Sequence, residues 1–288
     1  MIPARQRRLA GRHARVDGIP FLLPVDSSDS PVLMAGFSID ADRARALMPG
    51  EELHPLRLPG GRGLLLITVI DYRVTDIGTY IEFSIAIACT RGLRRAPMVL
   101  PGLFRRAFGT GQYVVDLPVS TEVSVKGGKG IWGMPKHQAN LDFTIAEDEV
   151  ASQYDLDGQL AMRIEVDRPA GVRLPVRASA VNYCQFRGLL MKSTIYFRGG
   201  MHVALGRRAS ARLYLGSHPR MDPLRELDIA SDPVFAAWLP TTSGVLDDHF
   251  EGWFLTSPEP VTQVPEGLET VAELGRSEDW LEPPKVGR

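Results

Sequence analysis

The segment from Gly63 to Tyr72, Gly-Leu-Leu-Leu-Ile-Thr-Val-Ile-Asp-Tyr, is a nearly continuous apolar run. It is long enough for a strand buried on both faces, so the fold must supply a layer on each side of it. Other β-type runs, broken by turn signals, surround it: Tyr80 to Cys89, Tyr113 to Val119, Thr121 to Lys126 and Leu141 to Ala146. Ser152 to Val166 reads as a hairpin closing on Asp157-Gly158, a dipeptide suited to turns that need positive φ. Further strands are expected at Ser193 to Phe197, His202 to Leu205 and Ala209 to Leu215. Helices are few. Asp40 is placed to cap Ala41 to Met48, which stops at Pro49, and Leu103 to Phe108, Pro223 to Leu227 and Asp232 to Leu239 are the other candidates. Nothing alternates strand with long helix, which argues against a doubly wound parallel sheet. The pattern predicts a mainly β (α+β) chain with one antiparallel, barrel-like domain over residues 20–257. A basic arm (1–19) precedes it and an acidic tail (258–288) follows it.

Charge narrows the choice of partner. The net charge of -1 argues against nucleic acid as the main partner, because phosphate binding needs an excess of Lys and Arg. No run approaches the ~20 apolar residues of a membrane span, and the 44% hydrophobic content suits a globular core. Cys89 and Cys184 match no metal or redox spacing and sit in apolar runs, as small buried side chains in a reduced, cytoplasmic setting would. Arg5, Arg7, Arg8, Arg12 and Arg15 precede the first acid, Asp17. Two readings stand for them, a transit peptide or a solvated or partner-facing arm. The far end carries Glu266, Glu269, Glu273, Glu278, Asp279 and Glu282, either a solvated tail or one that meets the basic arm of another subunit.

Lysine is scarce, and Lys126, Lys129 and Lys136 fall in one glycine-rich segment, Val125 to His137. A phosphate loop is excluded in detail, since the run lacks the Gly-Lys-Ser/Thr ending and no evident helix comes after it. Lys136 follows Trp132, Met134 and Pro135, so its stem is expected in apolar surroundings. Desolvation disfavours an ammonium and lowers its pKa, and a neutral amine can attack a carbonyl to form an imine. The bland alternative is a surface lysine closing a glycine loop. His202, His218 and His249 have no metal-like spacing, and Asp247-Asp248-His249 reads as a surface turn. Neither a serine nucleophile elbow nor a dinucleotide fingerprint is found.

Gly128-Lys129-Gly130-Ile131-Trp132-Gly133-Met134-Pro135-Lys136 resembles the lysine-bearing segment of the acetoacetate decarboxylase family, Gly-Arg-Glu-Ile-Trp-Gly-aromatic-Pro-Lys. Upstream, Gly78-Thr79-Tyr80-Ile81-Glu82 is similar to the family's Gly-x-Tyr-x-Glu strand. Downstream, Leu215-Gly216-Ser217-His218-Pro219 is a weaker match, with a helical stretch from Asp222 after it. The resemblance implies that Lys136 forms the imine with a keto acid or ketone and that Glu82 handles protons beside it. It implies that Tyr80, Trp132 and Met134 line the pocket, although the last two would equally serve as plain core. It also implies a lyase needing no cofactor or metal, assembled as a homo-oligomer.

The departures bear on the reaction. Where the decarboxylase has a second lysine directly after the nucleophile, this chain has His137. Histidine is mostly neutral at pH 7, so activation of Lys136 must come from burial, and His137 is either a general acid or base or a satisfied loop residue. The arginine expected to meet the substrate carboxylate falls near Ser30, and a second glutamate falls near Ile67 or Thr68, with Asp71 the nearest acid. Decarboxylation of a keto acid, aldol or dehydration chemistry on a larger oxo acid, and non-catalytic binding are the three functions left open.

Overall fold

A computed structural model describes residues 10–258 apart from 17, 99 and 247–249. The acidic tail, the first arginines and the Asp247-Asp248-His249 turn lie outside the described residues. A hairpin of β1 (Arg12–Val16) and β2 (Ile19–Leu23) comes first, followed by β3 (Val25–Ser28) and β4 (Val32–Ile39). Asp40 then caps α1 (Ala41–Ala46), its Oδ1 accepting from the Asp42 and Arg43 amides at 2.8 and 2.9 Å. β5 (Leu53–Pro55), β6 (Gly63–Tyr72), β7 (Val74–Thr75) and β8 (Tyr80–Arg91) lead to a single-turn α2 (Leu100–Leu103). β9 (Gly111–Val119), the longer helix α3 (Glu122–Trp132) and β10 (Lys136–Gln138) follow. Next come β11 (Asn140–Leu141), β12 (Thr144–Ile145), β13 (Glu149–Leu156) and β14 (Gln159–Asp167). The turn between the last two holds Asp157 and Gly158 at φ 52° and 76°. A long hairpin of β15 (Leu174–Phe186) and β16 (Leu189–Leu205) precedes β17 (Ala211–Leu215) and α4 (Asp222–Arg225). β18 (Pro233–Leu239), β19 (Thr242–Leu246) and β20 (Glu251–Phe254) complete the described chain.

Two sheets carry most of these strands. In the larger, the path β9-β8-β6-β4-β18-β16-β15 returns to β9 and so partly closes a ring. The smaller, β11-β13-β14-β17 with β12 on its edge, lies against the outside of that ring. The apolar run of β6 is the middle of this arrangement. Leu65, Ile67 and Val69 point into the core between the sheets, with Phe83, Ile85 and Ile87 of β8 and with Val150, Tyr154 and Ile164 of the smaller sheet. Leu66, Thr68, Ile70 and Tyr72 point the other way, into the ring. A strand read as buried on both faces thus has solid core on one and a cavity on the other.

Leu103 to Phe108, expected as a helix, is turn that follows the helix at Leu100–Leu103; three further expectations need correction. The ring is not wholly antiparallel, because β10 and β15 both pair with β9 in parallel. The first of these pairings results from α3, since β9-α3-β10 is a crossover unit and parallel neighbours require one. Thr121 to Lys126, expected as a strand, is the start of that helix, and the glycine-rich run continues it. Glycine weakens helices by about 1 kcal/mol per residue, but packing overrides propensity here: a Cβ on Gly127 would sit 3.2 Å from the Phe21 ring, and Gly133 ends the helix at φ 62°. Finally, Asp232 to Leu239, expected as a helix, forms β18, paired on both sides by β4 and β16. Its sequence is apolar throughout, so periodicity could not separate a buried helix from a buried strand.

Gly216 lies where β17 leaves the small sheet, its N–H donating to the Ala161 carbonyl at 2.8 Å. A Cβ there would meet the Leu160 carbonyl oxygen at 1.9 Å, and backbone cannot give way as a side chain can. Gly216→Ala should therefore destabilise the fold by about 2 kcal/mol or more, while Gly102→Ala, which meets nothing within 4 Å, should change it by less than ~0.5 kcal/mol. Urea denaturation of the two variants checks the contrast.

Candidate active site

The ring encloses a cavity of about 350 Å³, within the usual range for small-molecule sites. Its wall is mostly aliphatic, and Lys136 and Glu82 lie on it together. Both are buried, at 4% and 8% exposure. The Lys136 Nζ stands 2.7 Å from Glu82 Oε2 and donates to Ser124 Oγ at 3.1 Å. Glu82 enters the ring because it alternates with Phe83, whose ring goes into the core on the other face of β8.

Lys136 comes in from the crossover. Its stem crosses α3 at Gly128, where a Cβ would lie 2.2 Å from Lys136 Cδ and 2.6 Å from Cε. No other residue type leaves room for the lysine at that point. Glycine in this motif is therefore a channel for the lysine stem and not a phosphate cradle. Tyr80 contributes from behind the wall: its ring lies 5.3 Å from Nζ and stacks on Tyr72 at 4.5 Å. Tyr72, not Tyr80, lines the cavity. Burial first, and then the charge of Glu82, push both phenols well above the usual tyrosine range, so both stay protonated at neutral pH. Trp132 and Met134 line the cavity, and they also pack with Val114, Leu117 and Cys184.

His137 faces the opposite way. Successive residues of a strand alternate, so with Lys136 in the ring, His137 points into the space between the sheets. Its Nε2 lies 2.9 Å from Asp116 Oδ1 and 3.3 Å from the Tyr154 hydroxyl, and it does not line the cavity. Of the two roles left open for it, the satisfied histidine is the one this geometry matches. Asp116 is there because of a bulge. Residues Ile85 and Ala86 pair with Asp116 and Val114, so Val115 is an extra residue and the alternation of β9 reverses. Val114 and Leu117 both reach the cavity, while Asp116 faces outward.

Asp116 gathers the outward side of the site. Arg220 grips it with Nε at 3.0 Å and Nη2 at 2.8 Å, and Tyr154 donates to it at 3.2 Å. Arg220 is brought there by the weakest of the three motifs: His218 Nδ1 accepts the Arg220 amide at 3.1 Å and shapes the turn. Burial would raise the Asp116 pKa, but hydrogen bonds from His137 and Arg220, with their charges, outweigh it and hold the carboxyl below its usual value. The result is a clamp on β10, a three-residue edge strand paired, among the described residues, with β9 alone.

Neither Ser124, Tyr72, Asp116 nor Arg220 was legible as a site residue in the sequence. Ser124 was hidden by reading its segment as a strand, and Asp116 by a bulge that no residue type signals. The positions where further charges were expected hold none in the cavity. Ser30 is buried and donates to the Ser28 carbonyl, Ile67 lies in the core, Thr68 lines the wall, and Asp71 pairs with Arg73. Lys136 and Arg105 are the cationic side chains on the described wall. Among the described residues no three His, Cys, Asp or Glu side chains gather as a metal site would require, and no helix is long and apolar enough to cross a membrane.

The family model for acetoacetate decarboxylase matches residues 12–188, more than half of the chain and every residue of the Lys136–Glu82–Ser124 cluster. The chain belongs to the acetoacetate decarboxylase family. Solved structures of acetoacetate decarboxylase-like enzymes share its fold at low sequence identity. Acetoacetate decarboxylase from Legionella pneumophila is 15% identical with a TM-score of 0.54, over 81% of this chain and 87% of that one. The enduracididine biosynthesis enzyme MppR, complexed with pyruvate, is 16% identical with a TM-score of 0.53, over 81% and 90%. An acetoacetate decarboxylase-like enzyme from Sphingomonas wittichii RW1 is 14% identical with a TM-score of 0.52, over 81% and 94%. No curated protein matches the chain.

Two outcomes test how this family member builds its site. Gly128→Ala should raise helix propensity yet displace the Lys136 stem, separating Nζ from Glu82; a crystal structure of the variant reads the separation directly. Asp116→Asn should change how stability depends on pH. A carboxyl whose folded pKa is depressed contributes stability that is complete above its unfolded value, near ~4, and is lost as pH falls through the folded value. Urea midpoints measured from pH 7 down to pH 3 should therefore fall more steeply for the native chain than for Asp116→Asn.

Proposed function

We propose that the chain is a lyase that forms an imine between Lys136 and an oxo acid and releases carbon dioxide. The observation that carries this reading is a buried lysine on a cavity wall with a carboxylate 2.7 Å from its nitrogen. Membership of the acetoacetate decarboxylase family supports it.

One proton shared by Lys136 and Glu82 can sit on either partner while the pair stays neutral overall. With the proton on Glu82, the amine attacks the ketone carbon of the substrate. Loss of water from the adduct leaves a protonated imine. The bond from the neighbouring carbon to the carboxylate then breaks, its electron pair moves toward the iminium nitrogen, and carbon dioxide departs. The Glu82 proton leaves with the water lost from the adduct, so Glu82 takes up a proton from solvent and passes it to the resulting enamine carbon, and water then hydrolyses the imine to free product and lysine. Ser124 holds the nitrogen from the helix side, and the clamp at Asp116 and His137 positions the strand.

A second reading keeps the imine and changes the bond-making step after it. The described wall has no cation beside Lys136 to meet an adjoining carboxylate. Condensation or dehydration of a larger oxo acid through the same enamine needs no carboxylate to leave. MppR, whose structure was also solved with the condensation product of pyruvate and imidazole 4-carboxaldehyde, shares the fold.

Borohydride reduction in the presence of a panel of oxo acids, followed by mass spectrometry, should add substrate mass at Lys136 and nothing in Lys136→Ala. Glu82→Gln should slow trapping by roughly 10²-fold or more, the range for a positioned acid or base. Carbon dioxide release from the trapped substrates separates the two readings. A chain that binds the panel but traps none of it is a binding protein, and the imine reading fails.

A further inference from the structure

The cavity extends well beyond what a lysine and a small oxo acid occupy. On β9, Leu117 is the partner of Lys136, and Gln112 lies five residues earlier; the Val115 bulge takes up one of these, which leaves roughly 13 Å along the strand at ~3.3 Å per residue. Between these levels the wall is apolar, with Leu66, Val114, Trp132 and Met134 among its residues. At the Gln112 level it becomes polar again. Gln112, Asn182 and Ser193 are direct partners across β9, β15 and β16, and all three line the cavity.

These groups look prepared for a guest. Asn182 and Ser193 are each 4% exposed. Gln112 Nε2 donates to Asn182 Oδ1 at 2.7 Å, which commits the Asn182 oxygen and leaves its amide protons for another acceptor. Ser193 Oγ is buried and, among the described residues, has no hydrogen-bond partner. A buried hydroxyl left unpaired is unfavourable, and such groups normally find a protein, water or ligand partner. Arg105 borders the same end of the cavity, where it donates to the Ser179 carbonyl at 3.3 Å.

We propose that the substrate is an elongated oxo compound with its carbonyl at Lys136, an apolar middle, and a distal hydrogen-bond acceptor received by Ser193 and Asn182. This rests on the imine reading of Lys136 and names the class of molecule that the imine would hold. Arg105 at the distal end favours a carboxylate as that acceptor over a neutral amide. The cation missing beside Lys136 is then explained, because charge recognition is moved to the other end of the cavity.

The test uses the full chain and methyl ketones with spacers of increasing length, ending in a methyl, an amide or a carboxylate. Borohydride trapping at Lys136 should be best at an intermediate spacer with an acceptor at its end. Compared with the methyl-ended analogue, half-maximal trapping should need a roughly tenfold lower concentration. Ser193→Ala should abolish that tenfold preference, so that acceptor-ended and methyl-ended ketones reach half-maximal trapping at the same concentration. Equal trapping with and without the acceptor, or a preference that survives both Ser193→Ala and Asn182→Ala, overturns the proposal. If nothing is trapped, calorimetric binding of the same compounds to the native chain separates the two claims. Tighter binding of acceptor-ended compounds, lost in Ser193→Ala, supports the guest class although the imine reading has failed. Binding without that preference, or no binding, overturns the guest class as well.

Discussion

A lone ammonium cannot be kept out of water without a counter-charge, and the pairing of Lys136 with Glu82 is the constraint around which the ring is arranged. The two residues come from different strands with unequal support. Glu82 comes from β8, near the middle of the ring, while Lys136 comes from β10, a short strand at its edge. Bringing their side chains within 2.7 Å therefore depends on how β10 is delivered and held. Removing either partner would leave the other charge buried, so the pair is as much a structural commitment as a chemical one.

Delivery is the task of α3, and holding is the task of the clamp. The helix turns the chain over between two parallel strands, and its glycines let it run against Phe21 and the lysine stem. On the far side of the same strand, His137, Asp116, Tyr154 and Arg220 join β10 to β9, the smaller sheet and the turn at His218. One strand thus has a cavity face, which carries Lys136, and an anchored face, which carries His137. His137, the residue after the lysine, meets Asp116 and Tyr154 on the anchored side.

The cavity is the other consequence of ring closure. A strand such as β6 could bury both faces in solid packing, but the interior of the ring is left open between side chains such as Leu66, Thr68 and Ile195. Its length separates the Lys136 end from the polar belt of Gln112, Asn182 and Ser193. Under the proposed function, recognition and bond-making take place at different levels of one cavity.

Alternation, turn residues and caps are local signals, and they made much of this molecule readable in advance. The strands at Gly63–Tyr72 and Tyr80–Arg91, the Asp157-Gly158 hairpin and the Asp40 cap all arise from residues near each other in the chain. The lysine motif and Glu82 were legible for the same reason, as short patterns resembling a known family. Tertiary structure decided everything that depends on distant partners. The glycine-rich run is a helix because Phe21 and Lys136 occupy the space its missing side chains leave, and Pro233–Leu239 is a strand because β4 and β16 flank it. His137 faces the clamp because a bulge in β9 turns Asp116 outward to meet it, and a one-residue change of alternation leaves no trace in composition or periodicity.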